Sequence, residues 1–259
     1  MKLGFIGMGN MASALAGGFI ASGKLAATDI IAYDPYREGL LKKAEQLGFT
    51  ATDTAADAVN AADTVLIACK PQHVESALAP IRELLGGKAL LSIALGWDFA
   101  KYRSILPEGV RVQFIMPNTP AMVGEGVFLF EDATTLTAEE LATAQALFAA
   151  IGHVHTLPSR LMGIGGAISG CGPAFVDLML EAFADAAVKY GIPRDLAQTM
   201  VSETVLGSAK LQIETGLHPG VLKDMVCSPG GSTIKGVTAL EKEGYRAACI
   251  AAIDAIMEK

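Results

Sequence analysis

GFIGMGNMASALAGG, residues 4–18, joins a short apolar run to a glycine-rich turn and then to an Ala-rich segment of helical character. Gly7 permits a tight turn, and Gly9 lets a pyrophosphate approach the backbone closely. Ala12 replaces the third glycine of a G-x-G-x-x-G pattern and is still small enough for close helix–strand packing. The next N–H groups open a helix, where they lack intrahelical acceptors and the helix dipole favours an anion. The stretch predicts a dinucleotide-binding loop, with a purely structural glycine turn as the alternative.

Beyond this loop, apolar runs alternate with helical segments up to about residue 157. The strand candidates are KLGFIG, DIIAYD, TVLIAC, ALLSIA, RVQFIM, GVFLF and HVHTLP. Near-continuous apolar strands separated by helices are typical of a doubly wound, mostly parallel sheet. Thr137 and Glu140 have the spacing of a capping box at the start of one helix. We therefore expect residues 1–157 to form an α/β, Rossmann-type dinucleotide-binding domain.

After Pro158 the sequence is almost entirely helical in pattern. Two long helices are predicted, the second with Pro193 near its first turn and Gly216 just beyond its end. The Ala, Leu and Met content of residues 174–190 makes the first of them apolar on more than one face. Such surplus apolar surface is often buried against another subunit, although a monomeric bundle remains the alternative. We expect residues 158–259 to form an all-α dimerisation domain.

The composition and net charge of the chain argue against some classes of binding partner. Of the 259 residues, 51% are hydrophobic and 18% charged, with a net charge of −7, so nothing indicates binding to nucleic acid or to an anionic membrane. The four cysteines show no CxxC spacing, and His153 and His155 have no carboxylate or Cys near them in sequence, so we expect no disulfide scaffold and no metal site. The N-terminus lacks a signal-peptide pattern and the longest apolar run is too short to span a bilayer; we expect a soluble, cytoplasmic protein.

Polar residues follow several predicted strands, at the edge where ligands of such sheets bind. Asp34 ends the second strand, where an acidic residue normally holds a ribose 2′-hydroxyl and favours NAD; Arg37 would instead attract the 2′-phosphate of NADP, unless it is a solvated surface charge. Lys70, before Pro71, and Asn118, after Pro117, offer polar groups to a nicotinamide, ribose or substrate. The sequence leaves the choice of cofactor open.

CSPGGSTIKG, residues 227–236, interrupts the helical half with a Pro, two adjacent glycines and two hydroxyl residues. Glycines allow successive N–H groups to face one concavity, and Ser232 and Thr233 begin a helix whose open donors add to the same anion site. The stretch is either a carboxylate-binding loop or a hinge between helices.

Five motifs occur together in order: IGMGNMA at 6–12, CKPQ at 69–72, MPNTP at 116–120, SGCGPAF at 169–175 and VCSPGGSTIKGVTALE at 226–241. Across essentially the whole chain, this set resembles the Δ1-pyrroline-5-carboxylate reductase family, and the last motif is its most specific part. The resemblance implies a Rossmann domain and a helical domain that pairs with a second subunit, with dimers often assembled into decamers. It also implies hydride transfer from NADPH, or less often NADH, to the imine of pyrroline-5-carboxylate, giving L-proline, the last step of proline biosynthesis.

The resemblance carries roles to individual residues. Backbone amides of the loop from Ser228 to Thr233 would hold the substrate carboxylate, and the Thr233 hydroxyl would bond the ring nitrogen during catalysis. The substrate-binding residues implied are Ser228, Gly230, Gly231, Ser232, Thr233 and Asn118. The cofactor-binding residues are Ile6, Gly7, Met8, Gly9, Asn10, Met11, Asp34, Arg37, Ala68, Cys69, Lys70, Pro71, Ala94, Leu95 and Asn118.

Two segments depart from the family pattern. Ser159 and Arg160 stand where an acidic pair is usual, and Gly163 and Gly166 occupy the usual Asp and Thr places, which puts subunit or pocket contacts there in doubt. Thr54 and Ala55 lie where an Asn often helps to hold the adenosine ribose. Other hypotheses are a β-hydroxyacid dehydrogenase relative, which needs a Lys or His acid in the helical half, a reductase for another cyclic imino acid, and a non-catalytic dinucleotide sensor, which would not need the SPGGST loop.

Overall fold

The computed structural model describes residues 1–258 and divides the chain into two compact units, Met1–Cys171 and Gly172–Lys259. The first unit contains an eight-stranded sheet. Its strands are β1 Leu3–Ile6, β2 Ile30–Tyr33, β3 Thr50–Ala51, β4 Thr64–Ile67, β5 Ala89–Ser92, β6 Arg111–Met116, β7 Gly126–Thr134 and β8 Gly152–Leu157. The seven predicted strands are confirmed; the two-residue β3 is too short to show a pattern and was not predicted.

The strand order is β3-β2-β1-β4-β5-β6-β7-β8, and all neighbours are parallel except β6 and β7. The first six strands have the doubly wound order, as predicted for a Rossmann-type sheet. In this order successive strands are added outward on one side from β1 to β3 and on the other side from β4 to β6, so the order reverses between β1 and β4. Ligands of such sheets bind outside the carboxyl ends of the strands at that switch point. The glycine-rich loop after β1 therefore lies at the expected ligand edge.

The helices of the first unit are α1 Asn10–Ala21, α2 Arg37–Leu47, α3 Ala55–Ala61, α4 Val74–Leu78, α5 Phe99–Ile105, α6 Ala138–Ala149 and α7 Met162–Ser169. The capping box of Thr137 and Glu140 at the start of α6 is confirmed. The helical connection between β4 and β5 is broken, since Pro80 prevents α4 from continuing and a 3-10 turn, Arg82–Leu85, follows.

Both faces of the sheet carry a buried apolar layer, which is why the strands are apolar at successive positions. Phe19, Phe128 and Phe148 are fully buried in the layer beneath α1 and α6, and Val59, Leu78 and Tyr102 in the layer beneath α3, α4 and α5. These layers fix the strand ends that surround the glycine-rich loop.

The segment that departs from the family pattern packs within the first unit. A Cβ on Gly165 would stand 2.6 Å from Leu157 and 2.7 Å from Leu129, and one on Gly166 would overlap Met116. The glycines therefore let α7 approach the sheet closely, while Ser159 bonds Asp132 through its N–H at 3.0 Å. For this reason α7 belongs to the first compact unit, which ends at Cys171, 14 residues after the predicted boundary at residue 157.

The second unit contains five helices within the described residues: α8 Gly172–Lys189, α9 Arg194–Thr215, α10 Pro219–Met225, α11 Ser232–Lys242 and α12 Tyr245–Met257. Pro193 precedes α9 and Gly216 caps its end in the left-handed conformation, as predicted. Ala184 and Ala197 are buried, but large apolar side chains such as Leu178, Leu206 and Ile213 are 66–70% exposed. The helices of this unit therefore leave much apolar surface uncovered by their own chain.

One stretch, Ser159–Lys189, is long and apolar enough to cross a membrane by length and composition alone, with a mean hydropathy of 1.3. Only 11% of its most apolar window is buried within the chain. The stretch is not one continuous α-helix, because α7 ends at Ser169 and α8 begins at Gly172.

Candidate functional site

The glycine-rich loop passes very close to the end of β4. Gly7 has φ +96°, and its N–H bonds the Tyr33 carbonyl at 2.8 Å. A Cβ on Gly7 would stand 2.7 Å from the backbone nitrogen of Cys69. Both the positive φ and this close approach require glycine at this position.

Gly9, in contrast to Gly7, faces open space, because a Cβ on Gly9 would have no other atom within 4 Å. Gly9 is the N-cap of α1 and brings no side-chain cap, so the N–H groups of Asn10, Met11 and Ala12 stand at an uncapped helix N-terminus. Open space and unpaired donors at one place fit a phosphate group. Ala12 is fully buried, consistent with its proposed packing role.

Met8 makes contacts within the protein through its side chain, its N–H and its carbonyl. Its side chain is 2% exposed and packs in the core, its N–H donates to Asp34 at 2.7 Å, and its carbonyl accepts from Lys43. Contact with a ligand through these Met8 groups would displace existing bonds. Met8 is therefore placed to hold the loop, and the phosphate donors that remain are those at the start of α1.

Asp34 uses both carboxylate oxygens on backbone groups. One oxygen accepts from the Met8 N–H and the other accepts from the Tyr36 N–H at 2.8 Å. The carboxylate thus braces the glycine-rich loop at the end of β2, where the sequence predicted a contact with ribose. Each oxygen retains a lone pair, so ribose hydroxyl groups can still donate to it.

Arg37, the first residue of α2, is engaged on the same edge. Its Nη1 donates to the Thr52 carbonyl at 2.7 Å, and its Nη2 lies 2.5 Å from the Asp53 carboxylate. The side chains of this ion pair are 46% and 79% exposed. Arg37 is thus an exposed charge whose guanidinium is held by the turn after β3, and its contact with a 2′-phosphate stays a prediction.

The residues that follow β4 and β5 lie at the same carboxyl edge of the sheet, on the other side of the glycine-rich loop. Burial raises the pKa of the Cys69 thiol, and the nearby Asp34 carboxylate raises that pKa further, so this thiol stays protonated at neutral pH. Lys70 is exposed, and Trp97 donates its indole N–H to the Pro71 carbonyl at 2.9 Å. Ala94 is buried and its N–H bonds the Ser92 hydroxyl, whereas Leu95 is 63% exposed.

Asn118 is 6% exposed and already has two protein partners. Its side-chain NH₂ donates to the Ser169 carbonyl at 3.0 Å, and its side-chain oxygen accepts from the Val127 N–H at 2.8 Å. The amide thus ties the end of β6 to the start of β7 and to the end of α7. A ligand contact by Asn118 would have to use its second amide hydrogen or the second lone pair of its oxygen.

The loop in the second unit forms a tight turn followed by a helix. The Gly231 N–H bonds the Ser228 carbonyl at 3.0 Å, with Pro229 second in the turn and Gly230 third at φ +70°, the residues that a type II turn requires. A Cβ on Gly231 would overlap the Ser228 hydroxyl, which would have to rotate away, so a small residue fits this position best.

Gly231 is the N-cap of α11 and provides no side-chain cap. The N–H groups of Ser232, Thr233 and Ile234 therefore form an open helix N-terminus, whereas the Gly231 N–H is used by the turn. Within residues 1–258 the exposed Thr233 hydroxyl has no hydrogen-bond partner. The hinge interpretation is disfavoured by this geometry, because the turn and helix start are defined by internal bonds.

Histidines of the first unit do not gather metal ligands. Among residues 1–258, no three side chains of His, Cys, Asp or Glu lie together as a metal ion would require. His153 has one carboxylate neighbour, Glu125, at 3.7 Å, a contact that sequence distance did not reveal.

Two residues of the cofactor edge were missed in the sequence: Asp53, which holds Arg37, and Lys43, which holds the loop carbonyl of Met8. No motif marks them, because each acts through a partner 16 or 35 residues away. The Arg37–Asp53 ion pair can be recognised only after β3 has been placed beside β2, because this pairing brings Asp53 near the end of β2.

Comparison with known proteins gives consistent relationships for both units. The family model described as pyrroline-5-carboxylate reductase dimerisation matches residues 159–259, and one described as NADP oxidoreductase, coenzyme F420-dependent, matches residues 2–96. The chain is 41% identical to a pyrroline-5-carboxylate reductase of Methanosarcina acetivorans, over 97% of this chain and 94% of that protein. It is 39% identical to the Escherichia coli protein of that name, over 100% and 96%.

A solved structure gives the same relationship in three dimensions. The pyrroline carboxylate reductase of Plasmodium falciparum, crystallised with NADP bound, superposes with a TM-score of 0.90 at 31% identity, covering 100% of this chain and 96% of that one.

Proposed function

This chain belongs to the pyrroline-5-carboxylate reductase family, and from that premise we propose that it reduces the imine of Δ1-pyrroline-5-carboxylate to L-proline, the last step of proline biosynthesis. The observation that carries the proposal is the Ser228–Gly231 turn, which leaves the N-terminus of α11 uncapped beside the Thr233 hydroxyl. A small anionic substrate is what such a loop can bind.

We propose NADP(H) as the cofactor, with NAD(H) also accepted. The uncapped start of α1 and the open space over Gly9 support binding of the pyrophosphate, and Asp34, Arg37, Cys69–Pro71 and Ala94–Leu95 line the edge beyond it. When bound, the reduced nicotinamide supplies the hydride. The side chains of this edge position the dinucleotide, which is how a protein contributes most to such chemistry.

The substrate carboxylate would be held by backbone donors and needs no arginine. The open N–H groups of Ser232, Thr233 and Ile234 and the dipole of the eleven-residue α11 act on the same anion. Gly230 and Gly231 contribute shape, because they bring the backbone into the turn that exposes these donors. In this arrangement the roles of Gly231 and Ser228 are to form the turn.

Thr233 would orient the ring nitrogen through its hydroxyl. A Thr hydroxyl can donate or accept one hydrogen bond to the imine, but it is too weak an acid to be an efficient proton source. The proton on nitrogen therefore comes from a water relayed by Thr233 or from substrate that binds as the iminium. Asn118 serves as a positioning residue in this proposal, since its amide already bonds Ser169 and Val127.

We further propose that the chain is a homodimer through its C-terminal helices and assembles into a decamer, with no membrane and no nucleic acid partner. The exposed apolar side chains of α8 and α9 and the dimerisation family model that matches them support the dimer. The part of the apolar stretch Ser159–Lys189 that lies in α8 is then covered by a second subunit rather than by lipid. The four free cysteines fit a reducing compartment such as the cytoplasm.

Two other functions fit these features less well, and a third fits them equally. A β-hydroxyacid dehydrogenase would need an acid such as Lys235 beside the loop, whereas the relatives that are 39–41% identical over 97–100% of the chain are pyrroline-5-carboxylate reductases. A dinucleotide sensor would not need the glycine turn at residues 228–231. A reductase for another cyclic imino acid keeps every contact described and differs only in the ring that the loop accepts.

Steady-state oxidation of NADPH and of NADH, each with Δ1-pyrroline-5-carboxylate, tests the proposal directly. We expect turnover that requires this substrate and yields proline. Dinucleotide binding without turnover would support the sensor, and turnover of a six-membered cyclic imine alone would move the substrate assignment.

A further inference from the structure

Asp53 controls which cofactor the protein prefers: we propose that it holds Arg37 in an ion pair that a 2′-phosphate must break. The inference rests on the proposed dinucleotide site and assigns a specificity role to a residue outside the motifs. Asp53 would act through Arg37, as a positioning residue, and would lower the affinity for NADP(H) relative to NAD(H).

A carboxylate stands at the end of β2, where the adenosine ribose is expected to bind. Asp34 is fixed there by the N–H groups of Met8 and Tyr36 at 2.7 and 2.8 Å. In sheets of this order an acidic residue at this place accepts hydrogen bonds from the adenosine ribose. A 2′-hydroxyl can donate to Asp34 as it stands, whereas a 2′-phosphate would bring two like charges together and needs a cation to offset them.

Two cationic side chains of α2, Arg37 and Lys43, could offset the charge of a 2′-phosphate. Arg37 stands three residues after Asp34, but its guanidinium is shared between the Thr52 carbonyl and the Asp53 carboxylate. Lys43, two turns along α2, is directed to the Met8 carbonyl. Both side chains are therefore committed to protein partners before any cofactor binds.

The ion pair between Arg37 and Asp53 is exposed and therefore weak. The Asp53 side chain is 79% exposed and that of Arg37 46%, and exposed ion pairs contribute little to stability. Arg37 contacts Asp53 through a single nitrogen, and it can exchange this contact for a phosphate, with which a guanidinium can form bidentate hydrogen bonds. NADP(H) therefore binds, but only in competition with Asp53, whereas NAD(H) binds without this exchange.

The test is a comparison of dissociation constants for NADPH and NADH, measured by calorimetry on the full-length protein without substrate. We expect Asp53→Asn to tighten NADPH binding by about two- to fivefold, the size of an exposed pair that no longer competes, and to leave NADH unchanged. Asp53→Ala should do the same. In the background of Arg37→Ala, Asp53→Asn should have no effect on either cofactor.

Glu38→Gln is the matched control, because it removes the same charge beside Arg37 but breaks no ion pair. It should shift the two constants equally or not at all. If Asp53→Asn weakens NADPH binding, then Asp53 pre-orients Arg37 for the phosphate and the proposal is overturned; an unchanged ratio also overturns it. These are binding measurements, so they remain decisive even if pyrroline-5-carboxylate proves not to be the substrate.

Discussion

Gly7 lies against Cys69 so closely that a Cβ on Gly7 would stand 2.7 Å from the Cys69 backbone nitrogen, while Gly9 faces open space two residues later. The two positions of this motif are therefore glycine for different physical reasons. Gly7 is required by the fold, because β1 and β4 meet there, whereas Gly9 keeps open the space in which we propose that the pyrophosphate binds.

Substitution separates these two roles. Gly9→Val should leave a folded protein, destabilised by about 1 kcal/mol for a poorer N-cap, that no longer binds a dinucleotide. Gly7→Ala should instead lower the free energy of unfolding by several kcal/mol, since φ +96° and the backbone of Cys69 both exclude a side chain. Denaturant unfolding and calorimetric titration distinguish the variants; full affinity in Gly9→Val would contradict the phosphate-loop assignment.

Thr233→Ala should lower kcat/KM for pyrroline-5-carboxylate by about 5- to 150-fold, which corresponds to a lost hydrogen bond of about 1–3 kcal/mol. Cofactor affinity should not change, and Thr233→Ser should recover most of the activity. Thr238→Ala is a matched control on the same helix, because that hydroxyl bonds the Lys235 carbonyl at 3.0 Å. Unchanged turnover in Thr233→Ala would remove this hydroxyl from the mechanism.

The Arg111–Glu140 pair should make stability depend on pH. Arg111 bonds both carboxylate oxygens of Glu140, and these hydrogen bonds lower the pKa of Glu140. Ionised Glu140 therefore stabilises the fold above its unfolded pKa of about 4.3, and this contribution is lost as pH falls through the lower folded pKa.

Glu140→Gln should cost about 1–2 kcal/mol at pH 7, and its difference from the unsubstituted protein should shrink as pH falls below about 4. Urea unfolding at several pH values measures both effects. Glu139→Gln, an exposed neighbour in the same helical turn, should have little effect at any pH; equal losses from the two variants would argue against the pair.

Sedimentation equilibrium should give a mass of at least twice the chain mass of 26.9 kDa, because α8 and α9 leave large apolar side chains exposed. Leu206→Glu should shift the distribution towards monomer, whereas Ser208→Glu, at an exposed polar position of the same helix, should shift it less. A well-behaved monomer at micromolar concentration would contradict the proposed dimer.

Sequence reasoning succeeded where the signal is local. The strand–glycine–helix motif, the capping box of Thr137 and Glu140, and the end of α9 at Gly216 are each determined within a few residues. The glycine turn at 228–231 was also visible, because Pro and Gly fix backbone angles by their own chemistry.

It could not supply partners that are distant in the sequence. Asn118 stays a predicted ligand contact, but the Ser169 and Val127 groups that bond its amide become its neighbours only after β6, β7 and α7 have packed. Arg37 is exposed, as one of the two alternatives predicts, but nothing in the sequence places Asp53 beside it. Two-residue β3 has no period to detect, yet it brings Thr52 and Asp53 to the cofactor edge.

The reversal of direction between β6 and β7 has a consequence for where the chain can tolerate change. Because β7 and β8 run antiparallel to the first six strands, β8 ends at the sheet edge opposite the glycine-rich loop. Helix α7 then returns the chain to Ser169, whose carbonyl accepts a hydrogen bond from the Asn118 side chain. Extra residues inserted after Leu157 would lengthen a connection remote from cofactor chemistry. Insertions after Ser169 would disturb the end of α7, which the hydrogen bond from Asn118 holds. Differences in length among relatives should therefore be common after Leu157 and rare after Ser169.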